Sequence, residues 1–217
     1  VAKDGNNVVV VWVSGGVNIH SNYSTDGGMS WGDDQTIDSG TSMFSDVPQV
    51  ALDGNVAVAA WYAVVSGSGR LCVSYSTNAG SSWSTPVFID SEGSAGQRSQ
   101  VAVSGQNVIV VWNKDDGAPS WHIYANRSED GGATWSGPQL IASGNGYSAE
   151  SSDSYPRLAL DGPKAVVVWQ TNRSDGYVWP KEVHSVCSSD GGATWGTPQI
   201  ISTATDAYPP RVAMSGS

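Results

Sequence analysis

An eight-residue pattern returns four times in this 217-residue chain, and its spacing constrains the fold more than any other feature. The copies run Ser24 to Trp31 (STDGGMSW), Ser76 to Trp83 (STNAGSSW), Ser128 to Trp135 (SEDGGATW) and Ser188 to Trp195 (SSDGGATW). From Trp31 to Trp83 and on to Trp135 the step is 52 residues each time, and to Trp195 it is 60. A second pattern keeps the same period. Val8 to Trp12, Val56 to Trp61, Val108 to Trp112 and Ala165 to Trp169 are apolar runs closed by tryptophan. Short segments ending at Gly54, Gly105 and Gly162 precede three of them, and Val1 to Gly5 and Val212 to Gly216 fit that template. A fixed internal period is the mark of an architecture built from equivalent units.

Each unit reads as four strands. The first is the short run before an Asp-Gly or Ser-Gly turn. The second is the valine-rich run ending in tryptophan, apolar on successive residues, so both its faces should be covered. The third precedes the Ser-x-Asp pattern and the fourth follows it. Charged residues make up 14% of the chain against 26 Gly and 10 Trp, which excludes both a disordered and a helical chain. Four strands in about 40–50 residues is the signature of a propeller blade. The predicted fold is all-β, a β-propeller of four-stranded antiparallel blades with four repeats and the first strand of a fifth.

The recurring pattern has a mechanical reading. Asp26, Asn78, Asp130 and Asp190 sit where a turn residue accepts hydrogen bonds from backbone N–H groups just ahead of it. The glycines allow positive φ. Trp31, Trp83, Trp135 and Trp195 are expected to fold back on their blade and bury a large area. Asn78 keeps a turn acceptor but no carboxylate, which points to structure rather than catalysis. These copies resemble the Asp-box, or BNR, repeats of sialidases and related propellers, and the resemblance covers almost the whole chain. It implies that the first strands line a central axis and that the boxes lie on the face opposite the active site.

By first-strand position the repeats run 1–49, 50–100, 101–157 and 158–211, with 212–217 starting a further one. The expected arrangement is a single domain or an arc of a longer ring, since sialidase relatives have six blades. A closed ring of four, or a dimer pairing the open blade edges, are the alternatives.

The resemblance places the functional face at the fourth-to-first crossings and the second-to-third loops. Sialidases hold a substrate carboxylate with three arginines, whose planar forks match it, and use a Tyr–Glu nucleophile with an Asp acid/base. Arg157 and Arg211 stand in equivalent positions before adjacent first strands, with Arg98 just ahead of another. Tyr155 and Tyr208 lie beside them. The family's Arg-Ile-Pro signature is missing, and Gln49 and Gln100 fill the arginine slot in other repeats. Glycoside hydrolysis needs two facing carboxylates. Glu150 and Asp153, on the longest crossing, and Asp206 on the next are the candidates. Trp121 and Trp179 fall outside the repeat pattern near loops of neighbouring units, where exposed indoles stack on sugars or anchor a partner.

Net charge is −10, which repels a nucleic acid. No apolar run approaches the ~20 residues of a membrane span. No Cys/His pair has zinc spacing, no cofactor is indicated, and acidic loops such as Asp115-Asp116 leave Ca²⁺ open. Cys72 and Cys187 occupy different repeat positions, which argues against a disulfide. The sequons at Asn22, Asn126 and Asn172 read as chance. The first functional expectation is an extracellular or cell-surface recognition or scaffold domain with a glycan or other cell-surface ligand. The alternative is a sialidase-like exo-acting glycoside hydrolase.

Overall fold

The computed structural model describes residues 1–38, 44–91, 95–115, 121–143, 156–172, 181–202 and 210–214. Among these residues, sixteen strands make four antiparallel sheets, each in simple chain order, and there is no helix. Blade 1 holds β1 (Ala2–Asp4), β2 (Asn7–Ser14), β3 (Asn18–Ser24) and β4 (Gln35–Thr36). Blade 2 holds β5 (Phe44–Asp53), β6 (Val56–Val65), β7 (Ser68–Ser76) and β8 (Val87–Phe88). Blade 3 holds β9 (Ala95–Ser104), β10 (Asn107–Asp115), β11 (Trp121–Ser128) and β12 (Gln139–Ala142). Blade 4 holds β13 (Arg157–Asp161), β14 (Lys164–Asn172), β15 (Lys181–Ser188) and β16 (Gln199–Ser202).

The fold is a β-propeller, and its core lies between blades rather than within them. Strand β6 shows why. Ala57, Ala59, Trp61 and Ala63 are buried on its one face, where Ala59, Trp61 and Ala63 pack with Ile19 and Ile37 of blade 1. Val56, Val58 and Ala60 on its other face pack against Val108, Val110 and Trp112 of blade 3. Strand β10 repeats the division, with Ile109 and Val111 turned to Ala165, Val167 and Trp169 of blade 4. A run apolar at every position is therefore a strand with a sheet on each side. Successive first strands adjoin, β1 with β5, β5 with β9 and β9 with β13, and among the described residues no comparable contact joins β13 back to β1.

The first hairpin of each blade turns on a glycine. Gly5, Gly54, Gly105 and Gly162 have φ of 55, 58, 60 and 53°, the left-handed values a two-residue hairpin turn requires. These turns also tie blade to blade. The Gly54 N–H donates to Asp4 Oδ2 (2.8 Å), Gly105 N–H to Asp53 Oδ2 (2.6 Å) and Gly162 N–H to Ser104 Oγ (2.9 Å).

The Ser-x-Asp turns repeat one hydrogen-bond circuit. In blade 3, Ser128 Oγ accepts the N–H groups of Asp130 and Gly132 and donates to Asp130 Oδ1. The Asp130 carboxylate then accepts both the N–H and the hydroxyl of Thr134. Blades 1 and 4 match this with Ser24, Asp26 and Ser30, and with Ser188, Asp190 and Thr194. In blade 2, Asn78 Oδ1 takes the Ser76 hydroxyl and the Ser82 N–H, while its amide nitrogen donates to Ser82 Oγ. Each turn is pinned to its own blade's first hairpin, as by the Gly131 N–H on Gln106 O. The hydroxyl and N–H donors of Thr134 and Thr194 hold the Asp130 and Asp190 carboxyls down at about 2. Those of Ser30 hold Asp26 well below the ordinary range.

Two expectations are corrected. Three turn tryptophans, Trp83, Trp135 and Trp195, pack into the clusters between blades rather than on their own blade alone: Trp83 Nε1 donates to Ser21 Oγ of blade 1 (3.0 Å), while Trp135 Nε1 donates to its own Gly132 O (2.9 Å). Trp31 has no preceding blade among the described residues and stays 46% exposed. The first strands are also longer than the sequence implies. Arg98, read as a crossing residue, lies inside β9, and β5 continues through a register shift between Asp46 and Gln49, where Val47 has φ of 52°.

The second turn glycine fixes how closely blades approach. A Cβ on Gly132 would lie 3.0 Å from Tyr75 Cβ and 3.3 Å from Val58 Cγ2 of blade 2, whereas one on Gly28 would meet nothing of another blade. Both glycines have positive φ, so Gly→Ala strains either backbone equally. We expect Gly132→Ala to cost about 1–3 kcal/mol more than Gly28→Ala in denaturant unfolding, because of that overpacking. Equal costs would show that the approach is loose. The depressed carboxyls give an acid signature. Their stabilisation is fully present above the unfolded value of 3.8 and is lost as pH falls through the folded value near 2. Thermal melts should therefore drop between about pH 4 and 2, less steeply once Asp130 and Asp190 are both changed to Asn.

Candidate functional face

Each fourth strand ends, and each following first strand begins, at the blade end opposite the Ser-x-Asp turns. Second strands end and third strands begin there as well. The candidate side chains can be placed on this end by register. Gln49 pairs with Ala60, Gln100 with Val111 and Arg157 with Val168, so the three occupy one rung of successive first strands. The rung is continuous between blades 2 and 3, where Gln100 Nε2 donates to Gln49 Oε1 (3.2 Å). Arg157 opens β13, the next first strand. Arg98 lies two residues before Gln100 and is exposed, and Arg211, also exposed, falls in the segment after blade 4. Trp121 opens β11 opposite Asp115. Glu150, Asp153, Tyr155, Trp179, Asp206 and Tyr208 lie outside the described residues.

Buried polar atoms without a hydrogen-bond partner gather at this end. Among the described residues they include Asp38 Oδ1 and Oδ2, Ser45 Oγ, Asn113 Oδ1, His122 Nδ1 and both amide atoms of Gln170. Gln170 is buried almost completely. Native proteins satisfy nearly all such groups, with other protein groups, ordered water or a bound ligand. Asn113 and Gln170 both directly follow the tryptophan of a second strand. There the apolar run gives way to an amide that can both donate and accept. The turn end differs: its serine hydroxyls are engaged by a carboxylate in three copies and by the Asn78 amide oxygen in the fourth.

A cluster between blades 1 and 2 was not read from the sequence. Arg70 Nε donates to Asp90 Oδ1 (3.0 Å), and the Asp90 side chain is 1% exposed. The guanidinium lies over the Phe88 ring, 4.3 Å from its centroid. Burial pushes the Asp90 carboxyl up, and the Arg70 hydrogen bond only partly opposes it. Burial and then Asp90 push the neighbouring Cys72 thiol up to about 12, which leaves it unreactive. The sequence signal was the Ile-Asp-Ser at the ends of the fourth strands in repeats 1 and 2, Ile37 to Ser39 and Ile89 to Ser91.

Other sequence features resolve as structure. Both cysteines are free, Cys72 buried in blade 2 and Cys187 exposed in blade 4. Asn126 of one sequon is buried, with its amide donating to Ile89 O and accepting from Gly137 N–H. His20 and His184 stack on Trp12 and Trp169 at centroid distances of 5.7 and 5.6 Å. They bond Asp34 and Glu182 respectively, so each is a packing element of its blade. Among the described residues no three His, Cys, Asp or Glu side chains converge as metal ligands.

Removing one partner of a buried ion pair strands the other charge. Arg70→Ala should destabilise the chain by about 3–5 kcal/mol in urea unfolding, while Arg70→Met combined with Asp90→Leu recovers most of that loss. A single variant no worse than the double would mean that Asp90 is solvated.

No protein-family model and no curated protein sequence matches the chain. Solved structures do match its fold. The NanB sialidase of Streptococcus pneumoniae superposes with a TM-score of 0.55 at 12% identity, over 96% of this chain and 52% of that one. A protein of unknown function from Dyadobacter fermentans gives 0.56 at 17%, over 86% and 59%. The Trypanosoma rangeli sialidase, solved with sialic acid, gives 0.53 at 17%, over 90% and 36%. The chain thus spans about half the length or less of the sialidases it matches, and what it shares with them is the β-propeller fold.

Proposed function

We propose that this chain is part of an extracellular Asp-box propeller that recognises glycans through the face opposite its Ser-x-Asp turns. The observation that carries this reading is the concentration of buried, unpartnered polar groups at that end, above all the Gln170 and Asn113 amides. Sugars present hydroxyls that donate and accept at once, and amides answer both roles. The Gln49–Gln100 rung has the same chemistry. Trp121 and Trp179 supply the aromatic faces on which pyranose rings stack. The net charge of −10 opposes polyanionic ligands and leaves neutral or sparsely charged glycans.

A second reading rests on the likeness to sialidases. In it Arg98, Arg157 and Arg211 gather around a carboxylate, and Glu150, Asp153 and Asp206 supply the acid and base. Tyr155 and Tyr208 are close to Arg157 and Arg211 in sequence, and further blades would complete the site. The two readings separate in one experiment. On the binding reading, Trp121→Ala and Trp179→Ala each reduce glycan-array binding at least tenfold, and a panel of fluorogenic glycosides shows no turnover. Unchanged array binding in both variants removes the binding reading. Turnover that is lost in Glu150→Ala or Asp153→Ala establishes the hydrolase.

A further inference from the structure

A cleft of about 310 Å³ runs between the outer segments of blades 1 and 2. Its walls include Gln35, Thr36 and Asp38 of blade 1 and Trp83, Ser84 and Thr85 of blade 2. Both walls belong to an internal junction, with a described blade on each side. Ligand pockets begin at about 300 Å³, so the cleft takes one side chain or one small molecule. We propose that it binds an organic cation, a guanidinium or ammonium group on an apolar stem, with the Asp38 carboxylate as counterion.

Both Asp38 carboxylate oxygens are buried, and neither has a hydrogen-bond partner. The carboxylate acts across the junction: burial first, then Asp90 and then Asp38 push up the thiol of Cys72 in blade 2. A buried carboxylate is strongly unfavourable unless a cation or several donors meet it. Repeat 2 carries the same Ile-Asp-Ser and shows how the charge is answered there. Arg70 Nε donates to Asp90 Oδ1 (3.0 Å) and its Nη2 to Asp90 O (3.4 Å), with the guanidinium over the Phe88 ring. Asn18 stands before Ser24 where Arg70 stands before Ser76, and Thr36 holds the Phe88 position. Repeat 1 therefore keeps the carboxylate but has neither the guanidinium nor the ring. At the cleft a ring is supplied by the neighbouring blade, that of Trp83.

The rest of the lining favours a cation over a neutral sugar. Its nitrogen donors are largely committed: Trp83 Nε1 donates to Ser21 Oγ (3.0 Å) and Gln35 Nε2 to Gly80 O (3.2 Å). Ser84 Oγ accepts the Tyr75 N–H and meets Ser74 Oγ. What the cleft still offers is the Asp38 carboxylate, the Thr36 and Thr85 hydroxyls, which can accept, and the apolar surfaces of Trp83 and Pro86. A sugar ring needs donors and acceptors together, whereas an ammonium or guanidinium only donates. A cation against the Trp83 ring also gains the attraction of its quadrupole, and the bond to Ser21 holds that ring in place before any ligand arrives. The net charge of −10 draws cations to the chain. None of this depends on the glycan reading, since Gln49, Gln100, Trp121 and Trp179 do not line the cleft.

Isothermal titration of the whole chain tests the proposal with N-acetyl-argininamide, N-acetyl-lysinamide, the neutral isostere N-acetyl-citrullinamide, and galactose. We expect at least one of the two cations to saturate a single site, and citrullinamide to bind at least tenfold more weakly. Asp38→Asn should weaken the cation at least tenfold. Thr85 is exposed at the lip of the cleft, so Thr85→Arg places a tethered guanidinium there and should abolish binding, while Thr85→Gln binds as the unmodified chain does. Trp121→Ala, which the glycan reading makes defective, should bind the cation unchanged. The proposal is overturned if neither cation binds, if citrullinamide binds equally well, or if Asp38→Asn or Thr85→Arg binds like the unmodified chain. Galactose binding that Asp38→Asn abolishes would likewise overturn it, by making the cleft a sugar site. Should Asp38→Asn fail to fold, the Thr85→Arg and Thr85→Gln pair decides alone.

Discussion

A strand that is apolar at every position cannot be satisfied by one sheet, and the rest of this structure depends on that constraint. Strands β6 and β10 need a neighbour on each side, so a single blade has no core of its own. The unit of stability is the junction between blades. Each junction closes at one small contact, where a turn glycine seats against Val9, Val58 or Ile109 of the blade before it. The serine and aspartate circuit around that glycine holds it in place, and the first-hairpin glycine links the same pair of blades at their inner ends.

The two ends of the blades consequently differ in how their polar groups are satisfied. At the turn end, hydroxyls and backbone donors are satisfied by a carboxylate in three repeats and by the Asn78 amide in the other. At the other end, amides and carboxylates are buried without partners, and the repeat gives way to residues that occur once. The proposed recognition would use that second end, with the self-satisfied turns as its base. The Arg70–Asp90 pair adds a buried ion pair to blade 2.

Much of this was legible in the sequence because it repeats. The four turn copies, the valine runs and the Asp-Gly or Ser-Gly hairpins mark strand count and order, and Asn78 already pointed to a structural turn. Trp31 was misjudged because its burial depends on a different sheet. Equivalent tryptophans share a motif but not an environment, and a motif carries no information about what precedes its blade. Arg98 was assigned to a crossing because β9 begins earlier than the template, drawn from the shorter first strands, allows. The Arg70–Asp90 pair escaped notice because no other repeat carries an arginine at the Arg70 position and the two lie 20 residues apart. The candidate face is the least legible part for the same reason, since its residues depart from the period and no other repeat supplies a template for them.

The claim that the junctions between blades carry the fold is tested most directly by amide hydrogen exchange at the four turn glycines, read by NMR at a concentration where the chain is monomeric. All four N–H groups donate to a serine hydroxyl of their own turn. They differ in that Gly80, Gly132 and Gly192 are buried against a neighbouring blade and Gly28 is not. The account expects Gly80, Gly132 and Gly192 to exchange as slowly as the amides of β6 and β10, and Gly28 at least a hundredfold faster. Four equal rates would mean that each turn is secured by its own circuit alone, and would contradict the central role given to the junctions.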